Sequence, residues 1–94
     1  MRSISDLRTK AIVSNIRKVR EFRNYTQDYL AAKLKISQNA YSKIELGYSN
    51  ITLNRLVEIA DILEIELADL ICADGEDVIK LKLAGRRLKQ SGSL

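Results

Sequence analysis

Residues 26–47, TQDYLAAKLKISQNAYSKIELG, constrain the fold of this chain most, because they carry the start and stop signals of two short helices. Thr26 and Ser37 are suited to cap the two helix N-termini through their hydroxyls. Gly47 is suited to end the second helix in a left-handed conformation. The sequence therefore predicts two helices that cross closely around a tight turn, Lys35 to Ser37. Their inward positions are predicted to be Leu30, Ala31, Leu34, Ile36, Tyr41 and Ile44.

Helical spacing continues on both sides of this stretch. A preceding helix is predicted to start near either Ser5 or Lys10 and to end near Arg23, and its outer face carries Arg17, Lys18 and Arg20. Its apolar stripe is Leu7, Ala11, Ile12, Ile16, Val19 and Phe22.

Two more helices are predicted to follow. Thr52 is expected to cap the fourth, and the fifth is expected to run from Glu66 to about Cys72, with Ile65 packed at the turn between them. The stripe of the fourth helix is Leu53, Leu56, Ile59, Ala60 and Leu63, and the fifth adds Leu67, Leu70 and Ile71.

The last twenty residues, 75–94, fit two structures. Ile79, Leu81 and Leu83 alternate with lysines, which is a strand period, whereas residues 78, 81, 84 and 88 fit a helix. A lone strand would need a partner, most simply the same strand of a second subunit. We therefore divide the chain into a helical domain, residues 1–73, and a C-terminal extension, residues 74–94, that is either a helix or a dimerising strand.

Composition agrees with one small helical domain. The 94 residues are 46% hydrophobic and 30% charged, without proline. A single cysteine, Cys72, and no histidine exclude an internal disulfide and leave too few ligands for a Cys/His metal site. Cys72 lies in an apolar run, so we expect a buried structural thiol. No run reaches the roughly 20 apolar residues of a membrane span, and the N-terminus lacks an apolar signal, so the chain is predicted to be cytoplasmic.

Charge is divided unevenly along the chain. Residues 1–50 carry ten Lys/Arg against four Asp/Glu, residues 51–79 carry one against eight, and residues 80–94 carry five against none. These sums, +6, −7 and +5, give the net charge of +4. A basic N-terminal half containing the crossed helices fits an anionic partner such as nucleic acid, although solvated helix faces would give the same pattern.

The central stretch resembles the helix-turn-helix of the lambda-repressor-like family, also called the Cro/C1 or Xre family. The resemblance is carried by Gln27, Leu30-Ala31, Ile36-Ser37, Ser42-Lys43-Ile44-Glu45 and Gly47, and extends over about residues 12–71. It implies an all-α, five-helix DNA-binding domain in which the third helix enters the major groove of double-stranded DNA and the second crosses the backbone.

The resemblance also implies which side chains contact DNA. The DNA base-reading residues would be Gln38, Asn39, Ser42 and Lys43, since amides match adenine N6 and N7, and lysine reaches guanine or phosphate. The DNA backbone-binding residues would be Gln27, Thr26, Arg17, Tyr48, Ser49 and Asn50. Tyr41 is expected in the core with only its hydroxyl near a phosphate. Arg20 and Glu45 would form a partly buried salt bridge that fixes the angle of the reading helix.

Two positions depart from the family pattern. Lys35 and Glu64 stand where glycine is usual, and if the turns need a positive φ, each costs on the order of 1 kcal/mol.

These observations predict a sequence-specific DNA-binding transcriptional regulator, a repressor or autoregulator that binds a pseudo-palindromic operator as a homodimer. The alternative is an antitoxin or similar module whose main act is to bind a partner protein, through the acidic fourth and fifth helices or the extension. An enzyme is disfavoured by scattered carboxylates, the lack of histidine and the lack of a Gly-rich phosphate loop. No cofactor is implied.

Overall fold

The computed structural model describes the backbone of residues 4–72 and the side chains of residues 8–72. The described chain forms five helices: α1, Ile4–Phe22; α2, Gln27–Leu34; α3, Gln38–Glu45; α4, Leu53–Leu63; and α5, Leu67–Cys72. The predicted all-α, five-helix domain is confirmed, and of the two possible starts of α1 the earlier one is correct. The predicted extension, residues 74–94, and the side chain of Leu7 lie outside the described residues.

Three helices begin at the predicted N-caps. The hydroxyl oxygens of Thr26, Ser37 and Thr52 accept hydrogen bonds from the backbone N–H three residues later, at 2.9, 3.0 and 3.1 Å. Each cap satisfies one of the amide protons that a helix leaves unpaired in its first turn. Short side chains in the sequence thus fix where α2, α3 and α4 start.

Four helices stop in the same way. The N–H groups of the pairs 24–25, 35–36, 47–48 and 64–65 bond back to carbonyls three and five residues earlier, which is the Schellman arrangement. The first residue of each pair has a positive φ: 62° at Asn24, 61° at Lys35, 77° at Gly47 and 59° at Glu64. Lys35 and Glu64 therefore adopt the left-handed conformation that glycine would adopt at lower cost.

The helices enclose one core. α1 packs against α3, α4 and α5, and α2 packs against α3 and α4. The predicted interior side chains of α2 and α3 are confirmed, with Ile36 partly buried against them and Ile65 buried at the α4–α5 turn. The buried apolar side chains are Val13, Ile16, Val19, Leu30, Ala31, Leu34, Tyr41, Ile44, Leu56, Ile59, Ala60, Leu63, Ile65 and Leu70.

Several predictions for α1 were wrong. Phe22 and Ala11 are exposed, whereas Val13 is buried. Each three-residue step falls about 60° short of a full helical turn, so two such steps place Phe22 about 120° around α1 from Ile16. Arg20, which helical spacing assigned to the outer face of α1 and the family resemblance assigned to a partly buried salt bridge, is on the buried side and only 9% exposed.

Two assignments near the other end of the domain were also wrong. Leu53 is 67% exposed, because it lies in the first turn of α4, beyond the end of the core at Leu56. Cys72 is exposed rather than buried. Leu70 is the buried residue of α5, and two further residues turn Cys72 about 200° away from it.

Candidate nucleic-acid interface

One side of α3 is fastened to the domain and the other is open. Tyr41, Ile44 and Glu45 face inward, with Tyr41 fully buried. Gln38, Asn39 and Lys43 are exposed, and Ser42 is half-buried. The four predicted base-reading residues are thus brought together.

These four residues form two rows along α3. Gln38 and Ser42 are four residues apart, as are Asn39 and Lys43, so each pair is stacked on one helical face. The amides occupy the first turn, where an inserted recognition helix makes its base contacts, and the lysine lies one turn later. Neutral donors and acceptors at one end and a cation further along suit base edges and adjoining phosphates.

A buried ion pair fixes the orientation of α3. Nε of Arg20 lies 2.6 Å from Oε2 of Glu45, and Nη2 of Arg20 donates to Oε1 at 3.1 Å. The third guanidinium nitrogen, Nη1, donates to the carbonyl of Tyr25 at 2.8 Å. The planar guanidinium of Arg20 on α1 therefore makes a two-pronged contact with the end of α3 and a further hydrogen bond to the turn between α1 and α2.

Two more donors complete the surroundings of the Glu45 carboxylate. The Tyr41 hydroxyl donates to Oε2 at 2.5 Å, and Nε2 of Gln27 donates to Oε1 at 3.1 Å. Each carboxylate oxygen thus accepts two hydrogen bonds, which compensates for its removal from water. The expectation that the Tyr41 hydroxyl would lie near a phosphate was wrong, since Glu45 holds it inside the domain.

The titration of these groups reflects the network. Burial alone would raise the pKa of Glu45, but the hydrogen bonds from Arg20, Tyr41 and Gln27 outweigh it and hold the pKa below its usual value. Burial and the hydrogen bond to Glu45 raise the pKa of Tyr41. The hydrogen bond to Glu45 likewise raises the pKa of Arg20. The network is thus one negative and one positive charge with a neutral phenol.

Gln27 links this network to the surface. Because a carboxylate only accepts hydrogen bonds, the amide must turn its nitrogen towards Glu45. The second N–H of Nε2 and the amide oxygen are then directed away from that carboxylate. The hydroxyl of Thr26 accepts a hydrogen bond from the N–H of Tyr29. The other amide protons in the first turn of α2 point out of the helix end beside Gln27.

The remaining predicted backbone-binding residues lie in different surroundings. Arg17 is exposed and pairs with Glu21 at 3.3 Å, so a phosphate would compete with that carboxylate. Tyr48 is 78% exposed just after α3. Ser49 and Asn50 line a groove of about 230 Å³ together with Ala40 and Ile44, which places their loop beside α3.

Some contacts were not anticipated from the sequence. Nδ2 of buried Asn15 donates to the carbonyl of Leu70 at 2.8 Å and so holds α5 to α1. Arg23 donates to the carbonyls of Leu63 and Glu64 at 2.9 and 3.0 Å, where it caps the end of α4. One signal was available: Asn15 is a polar residue next to the apolar stripe of α1. The partners of Asn15 and Arg23 are 55 and 40 residues away in the sequence, so neighbouring residues could not predict them.

The described part of the chain offers little for other chemistry. Across residues 4–72 no cluster of three or more His, Cys, Asp or Glu side chains has the arrangement of a metal site. None of the five described helices is both long enough and apolar enough to cross a membrane.

Comparison with known proteins points in one direction. A protein-family model described as Helix-turn-helix matches residues 16–70, which is more than half of the chain. The match begins within α1 and ends within α5, so it includes the buried ion pair and the open face of α3. Neither a curated protein nor a solved structure matches the chain.

Proposed function

Because this chain belongs to the lambda-repressor-like helix-turn-helix family of DNA-binding transcriptional regulators, we propose that it reads a specific operator with the open face of α3. Gln38 and Asn39 contact base edges in the major groove, and Ser42 and Lys43 extend the contact by one turn. One observation carries this proposal: the four side chains share the exposed face of a helix whose opposite face is fixed by a buried ion pair.

The DNA backbone is held by groups around the start of α2 and the end of α3. Gln27, already oriented by Glu45, donates its second N–H to a phosphate, with Thr26 and the first amide protons of α2 beside it. Tyr48, Ser49 and Asn50 contact the backbone from the loop after α3, and Arg17 contacts it from α1. The +6 charge of residues 1–50, which include α2 and α3, supports an anionic partner for this part of the chain.

The protein acts as a homodimer. One reading helix of eight residues covers only a few base pairs, whereas two copies related by a two-fold axis read half-sites about 34 Å apart on one face of the duplex. Such an operator is pseudo-palindromic. Where it overlaps a promoter, the bound dimer acts as a repressor, including at its own gene. The alternative role, an antitoxin or other module that binds a partner protein, stays a prediction.

The test begins with selection of a preferred duplex from a random-sequence pool, followed by measurement of Kd for that duplex and for unrelated DNA. The double variant Gln38→Ala, Asn39→Ala should reduce the sequence preference, which is Kd for unrelated DNA divided by Kd for the selected duplex, by tenfold or more. Each well-placed amide contact contributes about 1–3 kcal/mol of discrimination. Binding to unrelated DNA serves as the internal control and should change little. Circular dichroism and thermal unfolding should match the unaltered protein.

An unchanged ratio in the folded double variant would show that α3 is not the reading element. The dimer is tested separately by sedimentation of the complex, which should contain two chains per operator. One chain per operator, or a selected sequence without two-fold symmetry, would contradict the homodimer.

A further inference from the structure

A groove on the face formed by α4 and the start of α5 has a chemistry that the reading of DNA does not use. Its volume is about 340 Å³. Ala60 and Ile65 form a buried floor, and Val57 is 47% exposed at one wall. The residues that line the groove are Val57, Glu58, Ala60, Asp61, Ile65, Glu66 and Leu67.

The groove combines an apolar floor with an acidic rim. Glu58, Asp61 and Glu66 contribute three carboxylates, and Arg55 pairs with Glu58 at 3.0 Å. Over residues 51–72 one basic residue stands against five acidic ones. Exposed Leu53, one turn before Val57, extends the apolar surface along α4. Such a surface fits a segment that alternates apolar side chains with cations.

The same face of a second copy does not have that chemistry. Two such grooves placed together would oppose their acidic rims, and like charges brought together disfavour association. Residues 78–89, VIKLKLAGRRLK, match the groove: they contain five Lys/Arg and no Asp/Glu, and the cations lie among valine, isoleucine, leucine and alanine. We propose that the α4–α5 groove is the docking site for residues 78–89 of the same chain.

The length of the chain permits this contact. The described part ends at Cys72, the last residue of α5, and Leu67 at the other end of that helix lines the groove. A six-residue helix is about 9 Å long, whereas the five residues 73–77 span up to about 17 Å when extended. The segment can therefore return from the end of α5 to the groove without a second subunit.

The docking is separate from the proposed DNA contact. None of the residues that line the groove belongs to α2, α3 or the loop after α3. The segment thus offsets the acidic α4–α5 surface while the open face of α3 stays accessible. This inference does not rest on the proposed function, and its test does not involve DNA.

The test is disulfide trapping in the full-length chain. In a Cys72→Ser background, Val57→Cys is combined with Leu81→Cys, and the matched control combines Asn39→Cys, on the open face of α3, with Leu81→Cys. Mild oxidation should form an intrachain disulfide about tenfold faster in the Val57 pair, because docking raises the effective concentration of the two thiols. Added salt should reduce that advantage, since it screens the attraction between the cations and the acidic rim.

Equal rates in the two pairs would overturn the proposal. So would a product that is mainly a disulfide-linked dimer, which would assign the groove to the segment of a second copy. Charge reversal gives an independent check that leaves the core untouched, because Asp61 is exposed. Asp61→Lys should slow trapping in the Val57 pair and should leave the rate of the Asn39 pair unchanged. A trapping rate in the Val57 pair that is the same with and without Asp61→Lys would show that no charge-matched docking occurs.

Discussion

The carboxylate of Glu45, the last residue of α3, lies 2.6 Å from Nε of Arg20 on α1, so the end of α3 is tied to a residue 25 positions earlier in the chain. The same carboxylate accepts a hydrogen bond from Gln27 at the start of α2. The three helices that would position a DNA contact therefore meet at one buried anion. A disturbance of this anion should affect both the stability of the fold and the presentation of α3.

Removing either partner of the pair should destabilise the protein strongly. Glu45→Ala or Arg20→Ala should lower the free energy of unfolding by about 3–5 kcal/mol, because each leaves the other charge buried without its partner. Urea unfolding followed by circular dichroism measures the change. Arg17→Ala is the control: it breaks the exposed pair with Glu21 and should cost less than about 1 kcal/mol.

The double variant Arg20→Met, Glu45→Leu should be less destabilised than the sum of the effects of Arg20→Met alone and Glu45→Leu alone. In the double variant neither charge is left buried without its partner. Strict additivity would indicate that the two residues act independently, which the observed contact does not permit.

The stability conferred by Glu45 should depend on pH in one direction. Its pKa in the folded protein is below the ordinary 4.5, so the unfolded chain takes up this proton first as the pH falls. The stabilisation is therefore fully present above pH 4.5 and is lost as the pH drops through the lowered pKa. The difference in unfolding free energy between the unaltered protein and Glu45→Gln, measured at a series of pH values, should shrink over that window.

Glu45→Gln provides its own baseline for the pH experiment, because every other carboxylate is common to the two proteins. Parallel stability curves from neutral to acidic pH would mean that Glu45 has an ordinary pKa in the folded state.

The left-handed residue after α4 offers a stabilising change. Glu64 has a φ of 59°, which costs a residue with a Cβ about 1–2 kcal/mol, while glycine pays about 0.5–1 kcal/mol in lost chain entropy. Glu64→Gly should therefore raise the free energy of unfolding by roughly 1 kcal/mol. Thermal and urea unfolding both report the change.

Glu64→Ala is the matched control for that change, since it removes the same side chain and keeps the Cβ. It should leave stability almost unaltered. A glycine variant no more stable than the alanine variant would show that the backbone conformation is not the source of the cost.

Lys43 should contribute to DNA affinity through its charge. Lys43→Ala should weaken binding and should reduce the slope of log K against log salt by about 1, because one fewer counterion is released from the DNA. Lys10→Ala removes the same charge from an exposed position on α1 that is outside the residues proposed to contact DNA, and it should change the slope less than Lys43→Ala does. Equal effects from the two lysines would mean that Lys43 acts only through the net charge of the protein.

Much of the architecture followed from local chemistry. The caps at Thr26, Ser37 and Thr52 could be predicted because each involves a side chain and an amide three residues away. The interior positions of α2 and α3 followed from helical spacing. The four candidate reading residues were identified together because their spacing, with the resemblance to a known family, places them on one exposed turn and a half of helix.

Local sequence thus determined where α2, α3 and α4 begin and which faces of α2 and α3 are apolar, because capping hydrogen bonds and side-chain period act within a few residues. The packing of the helices decided that Phe22 and Leu53 stay exposed, and that Asn15 and Arg23 secure helix ends far along the chain. It also decided that the hydroxyl of Tyr41 and the amide of Gln27 converge on Glu45. These outcomes depend on how five helices cross, since a buried charge is stable only where partners from several helices meet around it.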